Sequence, residues 1–335
     1  MMPASKKSFF IDTFRPEDAE GIVRLFRVVY GEGYPIRLFY DPQAIVDANR
    51  DGRYLSIVVR SPSGEVVGVN HLVRSAPFAG MYEHAAGLVL KEYRGTGAMK
   101  ETQVYLYEHF TPRHKYIEEL FGEPVCNHLI LQKGVLRHGF IETGIEIALM
   151  PAEAYTTEKS ATGRVATLDV FRCYVPKPHG IFVPHVYEEL LKRIYARLDD
   201  QRDIVLSDGV LPQETSTQAR MTIFDFARVA RISVSKAGGD LAACLIRLED
   251  EARRKDVMVF QVWLNATEPW IGQAVEILRG QGYFFGGAFP RWFDGDGMML
   301  QKLECPPDFE NIVLLSDFSK ELLGFIRKDR AAVAV

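Results

Sequence analysis

Apolar residues recur along this chain at two spacings, and the switches between them divide it into elements. Residues 9–14 form a short apolar run that ends at Arg15-Pro16-Glu17-Asp18, where a proline and two acids suit the first turn of a helix. Ala19, Ile22, Leu25, Phe26 and Val29 then fall on one helical face. Residues 42–49 predict a second, weaker helix. Runs at 54–60 and 66–74 read as strands joined by Ser61-Pro62-Ser63-Gly64-Glu65, a hairpin by its turn chemistry. Residues 82–90 predict a further strand, then the glycine loop Tyr93-Arg94-Gly95-Thr96-Gly97-Ala98 and a helix over 99–110. A run at 125–131 continues into a helix near 131–137, His138-Gly139-Phe140 ends it, and 141–150 is strand-like.

The polar stretch 156–163 predicts a surface loop, and 164–175 a strand assigned to the first domain. Pro176-Lys177-Pro178-His179-Gly180 breaks the pattern and sets the domain boundary. Val183, Tyr187, Leu190, Leu191, Ile194 and Leu198 then mark an amphipathic helix. Residues 221–235 are strand-rich and lead into a second glycine loop, Lys236-Ala237-Gly238-Gly239-Asp240. A helix over 241–254, a strand at 257–264, a helix at 271–279, the stop Gly282-Tyr283-Phe284 and a strand at 298–303 come next. Ser316 caps a last helix carrying Leu322, Leu323 and Ile326. The halves therefore repeat one order, with Arg94 set against Lys236, Gly97 against Gly239, and Gly139-Phe140 against Gly282-Tyr283. A repeat of pattern at about 140 residues predicts domain duplication. The expected architecture is α/β with a mixed sheet, in domains 9–175 and 180–310, with a C-terminal helix in 311–335.

Composition narrows the function. The chain's 335 residues, 47% of them hydrophobic and 25% charged, suit two globular domains with proper cores. A net charge of −4 with both signs mixed argues against nucleic acid as a partner. Cys126, Cys173, Cys244 and Cys305 lie far apart with no C-x-x-C pair, which suits reduced thiols and neither a disulfide frame nor a zinc site. No run approaches the roughly 18 apolar residues of a membrane span. Residues 1–8 are polar and read as a short disordered lead-in without a secretory core. The expectation is a cytoplasmic protein with no membrane partner, and its oligomeric state stays open.

Candidate chemistry concentrates between Leu88 and Met99. There a strand stops, glycines turn the chain and a helix begins, so the first N–H groups of the helix have no intrahelical partner and form an anion site. The helix dipole favours negative charge there by about 0.3–1 kcal/mol. Gly95 and Gly97 admit a phosphate close to the backbone, and Arg94 adds a charge-assisted contact. The structural alternative is a plain strand-to-helix turn with an exposed arginine. No G-K-[ST] follows the glycines, which excludes a P-loop.

Residues 94–99 resemble the Q/R-x-x-G-x-G/A signature of the GNAT family of N-acetyltransferases, and Tyr93-Arg94-Gly95-Thr96-Gly97 is close to its common Y-R-G-x-G form. The resemblance extends over 9–150. It implies that Arg94, Gly95, Thr96, Gly97, Ala98 and Met99 bind the diphosphate of acetyl-CoA, and that Leu88 and Val89 offer backbone groups to its pantetheine arm. Met99 departs from the family, which has glycine or alanine there. The resemblance further implies an N-acetyltransferase with acetyl-CoA as co-substrate, no metal, and an amine of a small molecule or peptide as acceptor. In one branch a glutamate on the long strand is the general base. Glu83, six residues before Val89, matches that spacing, and even spacing on a regular strand puts both side chains on one face. The alternative is a surface glutamate.

Many members use a tyrosine as general acid, and that position is Val135 here. His128 and His138 read as helix-surface or capping residues, and Tyr105 and Tyr107 as core residues. In the second half lysine replaces arginine, Asp240 stands in the phosphate cradle where like charges repel, and Leu278 takes the tyrosine position. These changes predict a GNAT-like copy that has lost its cofactor. The aromatic run 283–293 reads as packing, with a ligand pocket as the alternative. A non-catalytic acyl-CoA-binding regulatory protein is the competing function.

Overall fold

The computed structural model describes residues 8–151 and 163–333. The expected lead-in over 1–8 and loop over 156–163 lie outside these residues except for Ser8 and Gly163. Two compact units meet in sequence between Phe121 and Gly122.

The first unit contains β1 (Phe10–Thr13), α1 (Ala19–Tyr30), α2 (Pro42–Arg50), β2 (Tyr54–Arg60), β3 (Val66–Val73), β4 (Met81–Val89), α3 (Ala98–Val104) and β5 (Glu119–Gly122). Its strands lie in the order β1-β2-β3-β4-β5. The first three pairings are antiparallel, and β5 runs parallel to β4. The apolar stripe of α1 is buried at Ala19, Ile22, Leu25 and Phe26, as its spacing predicts. Phe26 stacks on Phe39 with ring centroids 4.1 Å apart. Asp41 caps α2 by accepting from the N–H groups of Gln43 and Ala44. Beyond Val104, α3 continues as a π-helical turn, Tyr105–Phe110.

One irregularity positions the site. Glu83, His84 and Ala85 oppose Val73, Leu72 and His71, whereas Leu88 and Val89 oppose Val69 and Gly68. The register slips by one residue, so β4 carries a bulge at Ala86–Gly87 opposite Asn70, with Ala86 at φ 50°.

The second unit contains α4 (Ile130–Arg137), β6 (Ile141–Pro151), β7 (Arg164–Cys173), β8 (His179–Val183), α5 (Glu188–Tyr195), β9 (Arg202–Leu206), β10 (Gln218–Phe224) and β11 (Val229–Lys236). It continues with α6 (Leu241–Arg253), β12 (Val259–Asn265), α7 (Ile271–Gly280), β13 (Phe284–Phe289), β14 (Gly297–Leu303) and α8 (Asp317–Val333). Seven of these strands pair in the order β7-β6-β13-β14-β12-β11-β10, and β8 and β9 form a separate parallel pair. Where β13 meets β6, Gly287 faces Gly144 so closely that a Cβ on Gly287 would fall 2.5 Å from the Cα of Gly144. Gln301 stitches β14 to β6, accepting from Ile147 N–H at 2.7 Å and donating to the Ile145 carbonyl at 2.9 Å. Asp329 docks α8 by accepting from the Tyr187 hydroxyl and the Phe285 N–H, both at 2.8 Å. Ser316 caps α8 through its Oγ, which accepts from Ser319 N–H at 3.0 Å.

The mixed α/β architecture agrees with expectation. The run at 125–131 forms only an isolated bridge, Val125 opposite Thr167, before the helix. β5 lies earlier, and the chain after it runs against β7, where Leu168 N–H donates to Pro124 and Cys126 N–H to Ala166. The β8–β9 pair was not legible, since 176–180 reads as a break and β9 opens on two charged residues. Among the described residues no helix is long and apolar enough to cross a membrane.

His71 is wholly buried on β3 among the rings of Phe26, Phe39 and Tyr54, with Nδ1 2.8 Å from Ser56 Oγ and Nε2 without a hydrogen-bond partner among the described residues. Burial disfavours the imidazolium and lowers the pKa from 6.5 to about 3. The unfolded chain takes up the proton first, so the stability carried by the neutral ring is present above pH 6.5 and lost as pH falls toward 3. Urea unfolding at pH 7 and pH 5 should show a loss about 2 kcal/mol larger in the wild type than in His71→Gln. Equal losses would show that burial leaves this ring's titration unchanged.

Candidate functional site

The end of β4 builds an open loop. A 3-10 turn over Lys91–Tyr93 leads to Arg94, which is exposed. Gly95 and Gly97 follow at φ 76° and 99°, where glycine is at ease and other residues are strained. Nothing lies within 4 Å of the position a Cβ on Gly95 would take. Thr96 folds the loop on itself, its Oγ1 donating to the Tyr93 carbonyl at 2.6 Å and accepting from Ala98 N–H at 3.4 Å. The first helical bond runs from Glu101 N–H to the Gly97 carbonyl at 2.8 Å, so the N–H groups of Met99 and Lys100 come before the helical ladder begins. Arg94 Nε donates to the Val89 carbonyl at 3.4 Å. Arg94, Gly95, Thr96, Gly97, Ala98 and Met99 thus form one turn with the donors and the positive charge that a diphosphate needs.

Two side chains bear on this cradle. Met99 turns inward, and its sulfur accepts from Asn70 Nδ2 at 3.4 Å, so its size does not obstruct the loop. Glu101 opposes an anion, because its Oε1 lies 3.2 Å from the Cβ position of Gly97.

The bulge corrects the expected geometry of Glu83. Even spacing puts Glu83 and Val89 on one face of a regular strand, but the extra residue at Ala86–Gly87 puts them on opposite faces. Glu83 opposes Val73 and Leu88 opposes Val69, which share a face of β3. His84 takes the face of Val89. Leu88 and Val89 are buried, while Glu83 is half-buried and accepts from Ser75 Oγ at 2.8 Å. His84 Nε2 lies 2.9 Å from Asn70 Oδ1, and its Nδ1 lies 2.5 Å from the hydroxyl of buried Tyr107. Asn70 Oδ1 only accepts, so the bonding assigns the proton to Nε2 and makes Tyr107 the donor to Nδ1. Tyr107 stands in the π-helical turn, which re-aims it relative to a continuous α-helix. His84 and Asn70 are absent from the sequence candidates, and the adjacent pair Ala86-Gly87 is the one local sign of the bulge that brings them in.

Other candidates lie on or beside α4. His128 Nδ1 accepts from Ile130 N–H at the start of α4, and His138 follows its last residue. Val135 is buried. The second glycine loop is filled by its own chain. A Cβ on Gly238 would lie 1.6 Å from the Thr215 carbonyl oxygen, and one on Gly239 would lie 2.8 Å from Gln213 Oε1. Asp240 turns to this segment and accepts from Thr217 N–H at 2.7 Å, and hydrogen bonds from Thr217 hold its carboxyl below the usual range. The parallel ladders differ too. β4 and β5 pair only at Met81↔Glu119, Tyr82↔Leu120 and Glu83↔Phe121, whereas β11 and β12 pair without break from Val229↔Val259 to Val234↔Leu264.

No family model matches the chain, and no curated protein does. It is similar to the solved structure of ribosomal-protein-S5-alanine acetyltransferase from Vibrio fischeri, at 12% identity over 50% of this chain and 93% of that one, with a TM-score of 0.40. An N-acetyltransferase from Staphylococcus aureus Mu50 is similar at 13% identity, covering 50% and 99%, with a TM-score of 0.39. The ribosomal-protein-S18-alanine N-acetyltransferase from Escherichia coli is similar at 14% identity, covering 51% and 96%, with a TM-score of 0.39. Likeness at this level does not assign the chain to a family.

The loop's own charges give a direct test with pyrophosphate. Glu101→Gln removes the opposing carboxylate and should tighten binding about twofold to fivefold. Arg94→Ala removes a charge-assisted bond and should weaken binding about tenfold or more. Isothermal titration of the wild type and both variants checks this, and three equal affinities would exclude the loop as the anion site.

Proposed function

We propose that the protein is an N-acetyltransferase that carries the acetyl group of acetyl-CoA to an amine of a small molecule or peptide. In this reading two GNAT-like copies lie in tandem: 9–175 binds the cofactor, and 180–310 is a copy that has lost it. The observation that carries the reading is the short β4–β5 ladder. After Glu83↔Phe121 the pairing ends, while β4 runs on to Val89 and directly into the glycine loop. An extended thiol arm suits such a strand edge, because its amides can take the bonds a neighbouring strand would supply. Leu88 and Val89 offer backbone groups to it, and Arg94 through Met99 take the diphosphate.

Chemistry requires a neutral amine next to a thioester carbonyl. Glu83 is the proposed base, a half-buried carboxylate at the last pair of the ladder, held by Ser75. It accepts the amine proton as nitrogen attacks the carbonyl carbon. The C–S bond then breaks, and the thiolate takes up a proton. With valine at 135, no tyrosine supplies that proton from the family's usual place. This substitution also supports the second reading, an acyl-CoA-binding regulatory protein without catalysis.

A thiol-release assay with acetyl-CoA over a panel of amines separates the two readings. Release with one acceptor class supports the enzyme, and binding without release across the panel supports the regulator. In the enzyme, Glu83→Gln should lower turnover at least tenfold, within the range of about 10²–10⁴ that general-base catalysis spans. The affinity for acetyl-CoA should hold, and the loss should shrink at high pH as solution supplies neutral amine. Turnover equal to wild type across pH 6–9 would remove Glu83 from the mechanism.

A further inference from the structure

Three carboxylates converge in the second unit, remote in sequence from the glycine loop. Glu146 on β6 and Asp169 on β7 are wholly buried, and Glu123 is half-buried. One oxygen of each lies within 4.8 Å of the others. Strand register accounts for the meeting. Gly144 opposes Asp169 and Glu146 opposes Thr167, so both acids point from the same face of the β6–β7 hairpin. The bond from Leu168 N–H to the Pro124 carbonyl, at 3.0 Å, brings Glu123 alongside. Glycine at 144 leaves the space that Asp169 uses, since a Cβ there would fall 2.5 Å from Asp169 Oδ2.

The donors around the cluster are unevenly shared. Arg231 on β11 donates to Glu123 Oε1 at 3.0 Å and to both Glu146 oxygens, at 3.2 and 3.0 Å. Gln261 on β12 also donates to Glu146. Neither oxygen of Asp169 has a hydrogen-bond partner among the described residues. A buried carboxylate without donors is costly and calls for a proton or a cation.

The spacing and chemistry favour a cation of definite kind. Three oxygens spread around a calcium-sized ion at about 2.3–2.6 Å each stand about 4.0–4.5 Å from one another, inside the 4.8 Å limit of this cluster. An all-oxygen donor set selects hard cations over zinc or copper. Arg231 is shared between Glu123 and Glu146, and among the described residues no donor reaches Asp169, whose charge a bound cation would offset. Arg231 and Gln261 then act as the outer donors that commonly hold ligating carboxylates.

We propose that Glu123, Glu146 and Asp169 form a binding site for one hard divalent cation of calcium size. The ion links the β6–β7 hairpin and segment 123–126, through their outer donors, to β11 and β12. Its role is structural, and its readout is stability.

The test uses the full chain stripped with a chelator and titrated with calcium chloride. Calorimetry should give one site per chain, and the melting temperature should rise with added calcium. Asp169→Asn keeps the side-chain shape and should weaken binding about 100-fold, and Glu123→Gln, at the exposed margin, about tenfold. Circular dichroism confirms that both variants fold. No binding of calcium, manganese or magnesium at millimolar concentration would overturn the proposal, as would binding that both folded variants retain. A chelated Asp169→Asn chain that melts higher than wild type, with no metal effect in either, would show that Asp169 holds a proton, and would equally overturn it.

Discussion

A strand edge that loses its neighbour leaves N–H and C=O groups in need of partners. β4 reaches that condition where its parallel ladder with β5 stops at Glu83↔Phe121. The rest of the site depends on this break. The bulge at Ala86–Gly87 falls in the stretch beyond it, where no pairing with β5 resists the extra residue. The same stretch ends in the loop whose glycines adopt positive φ, so strand edge, bulge and glycine loop lie on one continuous run of backbone. Glu83 sits at the mouth of the opening, and His84, next to it, is held from two sides by Asn70 and Tyr107.

The second glycine loop shows how little a glycine pair means alone. Lys236-Ala237-Gly238-Gly239-Asp240 follows a strand and precedes a helix, as the first loop does. Its glycines serve another purpose, since Thr215 and Gln213 press against the places where side chains would stand. Gly95 meets nothing. The neighbouring ladder is closed from Val229 to Val234, so no free edge leads into that loop. The second loop therefore has a backbone reason, beyond the charge of Asp240, to leave no room for a phosphate.

Much of the fold was legible from periodicity, because burial enforces it. The buried stripe of α1 and the runs that became β2, β3, β4, β6 and β7 follow the spacing of apolar residues. The loop was legible because glycine and arginine mark it locally. Side-chain direction past the bulge was not, since one inserted residue reverses the alternation on which the pairing of Glu83 with Val89 relied. The partners of His84, and the meeting of Glu123, Glu146, Asp169 and Arg231, depend on long-range register that no local pattern encodes. β8 escaped because its opening His179-Gly180 reads as part of a break, and β9 because it is short and opens on two charged residues.

The central claim is that an open strand edge leading into an unfilled glycine loop makes the cofactor site, and that a closed edge with a filled loop does not. Calorimetric titration of the full chain with CoA tests this most directly. The account predicts one site per chain, abolished by Gly97→Val in a protein that keeps its helical content. Two sites per chain, one site that survives that substitution, or no heat of binding at all would contradict it.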